Sequence, residues 1–335
     1  MIFDLLNVNS VAISLLIAAV LGFGLTFCGI AFGRAILPKD HGREFAVNGA
    51  LSKGKARGAG LILILVVIVV SVLCMQLDLA FLIFLAAIFI EMMSGYLDDA
   101  STVPWGELKK GLIDFVVAAG VSVAEYYFHS HGHVMLPVLH MEFIIPAPVY
   151  IILGIILIWA SINVTNCADG VDGLCGSLSA ITLVSAFLLM NIMTPVSKML
   201  DNKFLLVWIC IFMLIAYLWF NCSPSSVLMG DAGSRAIGLI IALAFMQSDM
   251  PFMFIPCALM LIIDGGLGLL KLTVLRVTKS KTFMKNIRTP IHDHARKNKG
   301  WSDTQVVIRF TLMQIMISAV ILLLAYEWPL IALSD

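Results

Sequence analysis

A helix needs about 20 consecutive apolar residues to cross the hydrocarbon of a bilayer, and this sequence supplies such runs repeatedly. They fall near 10–32, 58–76, 79–96, 111–128, 148–165, 174–193, 204–220, 233–248, 251–275 and 304–326. The sequence therefore predicts an all-α polytopic membrane protein of about ten transmembrane helices. Helices two and three form a tight hairpin around Asp78, and Asp264-Gly265-Gly266-Leu267-Gly268 predicts a bend or break in the ninth helix. Composition agrees: 61% of the 335 residues are hydrophobic, 13% are charged, and the mean hydropathy is +1.02. A water-soluble chain of this length cannot hide that much apolar surface. The expected organisation is one integral-membrane domain over 1–335, with no repeat strong enough to argue inverted halves. Met1 to Ser10 lacks a basic region and the first apolar run is of spanning length, so no cleavable signal peptide is expected.

Seven cysteines are scattered without a CxxC pair, mostly inside apolar runs, and read as small buried hydrophobes rather than zinc ligands or disulfides. A net charge of zero conceals a strong asymmetry. The first loop holds Arg34, Lys39, Arg43, Lys53, Lys55 and Arg57, and the connection after helix three holds Lys109 and Lys110. Arg235 opens helix eight, and the last long loop with its helix ends runs from Lys271 to Arg309 through Lys279, Lys281, Arg288 and Lys299. With ten helices these all fall on one side, leaving only Lys198 and Lys203 of the 21 basic residues opposite. Positive charge marks the cytoplasmic side, so both termini and the loop 129–147 are expected to be extracytoplasmic.

Four polar clusters share that cytoplasmic side. Asp98-Asp99 closes an apolar run; two adjacent carboxylates there repel, and a divalent cation is the usual relief. The second runs from Ser161 through Asn163, Asn166, Asp169 and Asp172 to Gly173. The third joins Asn221-Cys222-Ser223-Pro224 to Met229-Gly230-Asp231-Ala232-Gly233-Ser234, and the fourth is Pro290-Ile291-His292-Asp293-His294. Each has a bland reading: a solvated turn at Asp98-Asp99-Ala100-Ser101-Thr102-Val103-Pro104, Asp-Gly turns, a capped helix start at Asp231 or Ser234, loop histidines. All four gathering at cytoplasmic helix ends favours chemistry over coincidence. Gly-rich turns opening helices suit phosphate, and carboxylates beside phosphate suit Mg²⁺. The residues alone thus point to a magnesium-dependent site for a phosphorylated, nucleotide-linked substrate.

From Lys39-Asp40 to Phe310 the chain resembles the polyprenyl-phosphate N-acetylhexosamine-1-phosphate transferases. The resemblance is carried by Gly95-Tyr96-Leu97-Asp98-Asp99, Asn166 to Gly173, Phe220-Asn221, Met229 to Ser234, and Pro290 to His294. Lys299-Gly300-Trp301 and Arg309-Phe310 resemble the branch whose donor is UDP-MurNAc-pentapeptide. The resemblance implies a bacterial inner-membrane enzyme of peptidoglycan synthesis, in which undecaprenyl phosphate attacks the donor's β-phosphate, releasing UMP and giving lipid I. Its partners would be the two substrates, the lipid bilayer and, as one option, a second copy of the chain, with no nucleic acid. Carried over by motif, Asp231 ligates Mg²⁺, and Asp98 contacts or deprotonates the lipid phosphate with Asp99 beside it. Asn166 and Asp169 line the nucleoside and pyrophosphate region, with Asn163 and Asn221 in support, and Asp172 reaches the uracil. His292 and His294 hold phosphate or sugar, while Lys109 or Lys110 supplies positive charge.

The chain departs from the family in four places. His292-Asp293-His294 replaces three consecutive histidines, and Lys55-Ala56-Arg57-Gly58-Ala59-Gly60 replaces a Thr-Pro-Thr-Met-Gly-Gly segment. Leu228 stands where an aromatic commonly stacks on uracil, and Asp264 replaces a glutamate. The alternative within the family is a sister transferase that moves another UDP-N-acetylhexosamine phosphate to a polyprenyl phosphate. A transporter with an intramembrane carboxylate path fits less well, because the acidic groups gather on one face instead of marking a route across.

Overall fold

Runs of Leu, Ile, Val and Ala make the helices, and each long run of the sequence but the ninth lies on one. The computed structural model describes the chain except residues 1, 7, 9, 41, 43–51, 102, 104, 196–197, 280–281 and 333–335. Arg43 and Lys281 of the basic loops, and Thr102 and Pro104 of the turn after Asp99, lie outside the described residues. The principal helices are α1 (Val11–Gly33), α2 (Gly60–Cys74), α3 (Leu79–Asp99), α4 (Glu107–Glu125), α5 (Ala147–Ala168) and α6 (Leu174–Met193). They continue as α7 (Asn202–Asn221), α8 (Asp231–Met246), α9 (Leu267–Thr278), α10 (Ile291–Lys299) and α11 (Asp303–Ala332). Among the described residues four short strands join them: β1 (Ala56–Arg57), β2 (His133–Leu136), β3 (Met141–Ile144) and β4 (Val227–Leu228).

Seven of these helices are long and apolar enough to cross a membrane: α1, α3, α4 with the π turn that extends it to Ser130, α5, α6, α7 and α11. The pair Pro251–Cys257 and Leu259–Thr278, bent by 69°, makes an eighth if it is one span. The two remaining expected spans are short, α2 with 15 residues and α8 with 16. The shortness of α8 has a physical reason. Every one of its residues except Asp231 is buried, wrapped by α2, α3, α5 and α6, so it has no lipid-facing length to match.

The break in the ninth run lies at Ala258, upstream of the glycine-rich stretch expected to cause it. Pro256, just before Ala258, has no N–H for a helical bond, and Gln314 of α11 bridges the gap: its Nε2 donates to Pro256 O (3.1 Å) and its Oε1 accepts from Met260 N (2.9 Å). Ile262–Gly266 instead forms a single π-helical turn. The hairpin around Asp78 is present, with Asp78 Oδ1 capping α3 by accepting from Phe81 N at 2.8 Å.

Small residues let the helices approach closely. A Cβ added at Gly95 of α3 would lie 2.4 Å from the backbone of Asp231, so α3 crosses the start of α8 nearly in backbone contact. Outward faces are apolar, as bilayer-facing surface must be: α11 exposes Leu312, Met316, Val320 and Leu323, and α4 exposes Leu112, Phe115 and Val116. β2 and β3 pair antiparallel to make a hairpin of the loop 129–147. β1 and β4 pair in parallel, Ala56 with Val227 and Arg57 with Leu228. All seven cysteines are free; Cys74, Cys175, Cys210 and Cys257 are buried, while Cys28 and Cys222 are exposed.

Candidate active site

The C-terminus of α3, the first turn of α4 and the N-terminus of α8 meet at one point, and each brings a charge. Lys110 of α4 pairs with both Asp98 of α3 and Asp231 of α8, the latter at 3.0 Å. Asp98 also accepts from Trp105 N at 2.6 Å. Asp99 turns to the other side and pairs with Arg57 of β1 at 2.8 Å, and the same guanidinium stands 4.0 Å from Asp231 and 3.2 Å from Asp40. Burial works against the charge of Arg57, but Asp99, Asp231, Asp40 and Asp169 outweigh it and hold its pKa above an arginine's ordinary value. The pairing of β1 with β4 fixes Arg57 here, and its own N–H donates to Pro38 O at 2.8 Å.

Gly230, immediately before α8, is the hinge of the arrangement. Its φ of 72° is one that favours glycine, and a Cβ there would lie 2.3 Å from Asp99 Oδ2. Its N–H donates to Asp169 Oδ2 at 3.1 Å, which joins the second sequence cluster to the third. Asn166 donates to Ser234 Oγ at 2.9 Å and so holds the first turn of α8 from the side of α5.

A cavity of about 450 Å³ opens beside this cluster, meeting it at Arg57 and Gly230. Asp169, Asp172, Asn221 and Leu228 line it, as do His292, Asp293 and Arg296 of α10. Asp172 accepts from Ser225 N (2.9 Å) and pairs with Lys55 (3.3 Å). Asn221 accepts from Gly173 N and donates to Val227 O, both at 2.9 Å, and so clamps the turn before α6 to β4. Asp264 holds His292 twice, accepting from its backbone N at 2.7 Å and facing its Nδ1 at 2.8 Å. A second, apolar cavity of about 460 Å³ lies along the bent helix, between Tyr150, Leu157 and Trp159 of α5 and Phe252, Ile262 and Leu269.

Three of the expected residues stand apart from both the carboxylate cluster and the cavity. The ammonium of Lys109 lies 3.1 Å from the centre of the Trp105 ring, a cation–π contact, and Lys110 alone enters the carboxylate cluster. His294 Nδ1 accepts from Arg288 N at 3.3 Å, so the neighbouring Asp293, and not His294, faces the cavity. Asn163 bonds Trp159 O (2.9 Å) and Asp114 (3.4 Å), one turn deeper than Asn166. In turn, Lys55, Arg57 and Asp264 occupy the site although the sequence marked them only as departures, as orientation charges or as a bend. The available signal was a carboxylate inside an apolar run for Asp264, and two basic residues in a Gly-rich segment for the others.

Among the described residues no three His, Cys, Asp or Glu side chains converge on one metal position. The chemistry of the donors is nonetheless that of a hard cation. Asp98, Asp99 and Asp231 supply only oxygen, and the buried Asp99 carboxylate faces Arg57 and the first backbone N–H groups of α8. Mg²⁺ typically takes one or two carboxylates and completes its shell with water and substrate phosphate, so a pre-built cage is not required.

A polytopic helical protein with this cluster at its helix ends has the frame of a membrane enzyme acting on a charged substrate. Residues 81–249 match glycosyl transferase family 4. Over 319 residues the chain is 34% identical to a phospho-N-acetylmuramoyl-pentapeptide-transferase of Treponema pallidum, covering 91% of this chain and 88% of that protein. A protein with the same name from Wolinella succinogenes is 28% identical over 274 residues, 76% of each chain. The chain belongs to glycosyl transferase family 4, and it is a phosphoglycosyl transferase of the phospho-N-acetylmuramoyl-pentapeptide-transferase kind.

Proposed function

We propose that the protein transfers phospho-MurNAc-pentapeptide from UDP-MurNAc-pentapeptide to undecaprenyl phosphate, forming lipid I and releasing UMP. The observation that carries this reading is the joining of Asp98, Lys110 and Asp231 beside a polar cavity, in a chain whose curated relatives bear that activity's name. Phosphoryl transfer asks a protein chiefly to position the groups and to neutralise charge on the transferring oxygens. Lys110 and Arg57 supply the positive charge, and Asp98 accepts the proton of, or orients, the acceptor phosphate. Asp169 and Asp172 hold the nucleotide side of the cavity, and His292, oriented by Asp264, meets phosphate or sugar. Asp231, with Asp99 beside it, would hold Mg²⁺, which when bound supplies Lewis-acid neutralisation of the phosphate oxygens. The apolar cavity along the bent helix offers the polyprenyl chain a path out of water.

The site is assigned to the cytoplasmic side, where soluble UDP-sugars are, because nearly all basic residues share that end of the helices. The ten-span topology is part of the same reading, with α2 and α8 as short buried spans. The Lys299-Gly300-Trp301 pattern beside α10 favours the MurNAc-pentapeptide donor over the sister donors. The test offers purified protein UDP-MurNAc-pentapeptide or UDP-GlcNAc, with Mg²⁺ and with or without undecaprenyl phosphate, and reads UMP. Release from the first donor that depends on the lipid is expected. Faster release from UDP-GlcNAc would replace this reading with the sister transferase.

A further inference from the structure

Beneath the carboxylate cluster lies a second group of charges that the proposed reaction does not use. Arg235 of α8 contacts Asp114 of α4 and stands 3.2 Å from Glu91 of α3. Their side chains are 3%, 4% and 0% exposed, deep among apolar helix faces. Asn163 of α5 adds a hydrogen bond to Asp114 at 3.4 Å.

This triad is a poor way to make the fold stable. Removing three charges from water is costly, and the return depends on full hydrogen bonding. Here Glu91 meets Arg235 through one oxygen, while its other oxygen and Arg235 Nη1 have no hydrogen-bond partner among the described residues. Buried polar groups left in this state call for another explanation.

The spacing supplies one. Arg235 follows Asp231 by four residues, Asp114 follows Lys110 by four, and Glu91 precedes Asp98 by seven. Residues four or seven apart share a helix face, one or two turns along. Each of the three helices that brings a charge to the site therefore carries a second charge on the same face, deeper in the bundle. The signs alternate along two of them, Lys110 above Asp114 and Asp231 above Arg235. Apolar surfaces alone tolerate small slides of one helix past another, whereas an ion triad has one register. The site needs that register, because a displacement of about 1 Å in a reacting constellation can cost about 10²-fold in rate.

We propose that Glu91, Asp114 and Arg235 are positioning residues that lock α3, α4 and α8 in the register joining Asp98, Lys110 and Asp231. This rests on the reading of that cluster as the reaction site. The test removes all three charges at once, as Glu91→Met, Asp114→Leu and Arg235→Met, so that no buried charge is left unpaired. Expected are an unfolding temperature in detergent equal to or above that of the parent, an unchanged donor KM, and a kcat lower by at least about tenfold. A folded triple variant with parental kcat overturns the proposal. If the triple variant does not fold, Arg235→Lys decides. It keeps the charge but ends one bond short of the Arg235 Nη2 position that meets both carboxylates, so kcat should fall with KM unchanged, and a parental kcat again overturns the proposal. Both variants are assayed with whichever UDP-sugar the parent turns over, so a wrong choice of donor does not affect the comparison. A parent that releases no UMP from any UDP-sugar would refute the reaction-site reading, and this proposal with it.

Discussion

Lys110 Nζ lies 3.0 Å from Asp231 Oδ2, an ion pair that ties the opening turn of α4 to that of α8. The same ammonium touches Asp98, so one cation holds together carboxylates from two helices far apart in the sequence. Lys110→Ala should leave Asp98 without its cation, and Asp231 with Arg57 at 4.0 Å in place of the closer ammonium, beside the anionic substrates. UMP release should then fall about 10²–10³-fold, the usual loss when one preorganised charge partner is removed. Lys109→Ala removes only a contact with the Trp105 ring, and turnover close to that of the parent is expected. Equal losses in the two variants would contradict the assignment of Lys110.

Gly230→Ala combines two penalties. The φ of 72° strains an alanine by about 1–3 kcal/mol, and the added methyl meets Asp99 Oδ2. Thermal unfolding should shift downward while a helical circular-dichroism spectrum persists, and UMP release should be largely lost. Parental activity in a folded Gly230→Ala protein would show that Asp99 has room to move without consequence.

Removing divalent cations with a chelator should stop turnover, and added Mg²⁺ should restore it. Asp231→Asn should raise the Mg²⁺ concentration needed for half-maximal rate and lower the maximal rate, because the hard oxygen donor loses its charge. Asp98→Asn should lower the rate without that shift in Mg²⁺ demand. An unchanged Mg²⁺ titration in Asp231→Asn would remove Asp231 as the ligand.

Sidedness can be read with single cysteines in a background lacking the exposed Cys28 and Cys222. Glu142→Cys, in the β2–β3 hairpin, should react with an impermeant thiol reagent in intact cells. Ser302→Cys, beside α10, should react only after the inner face is opened. The reverse pattern would place the carboxylate cluster away from the soluble UDP-sugars.

The apolar runs determined by themselves that this chain is a helical membrane protein. A run of hydrophobic residues cannot stay in water, and a helix satisfies its own backbone in lipid. The paired aspartates, the Gly230-Asp231 turn and the His292 segment were legible as well, because charge and glycine at the ends of apolar runs are expensive without a use. What the sequence left open was direction. Lys109 and Lys110 are chemically identical, but successive residues on a helix point roughly 100° apart, and only the packing of α4 against α3 and α5 put Lys110 into the site. The same holds for Arg57, which a parallel pairing with β4 carries to Asp99, and for the bend at Ala258, where Gln314 closes the gap from another helix. Glu91, Asp114 and Arg235 are three separate oddities along the chain and become one object only when their helices pack together. Each of these depends on contacts between residues distant in sequence, whose geometry is set by the packing of whole helix faces and not by any local preference.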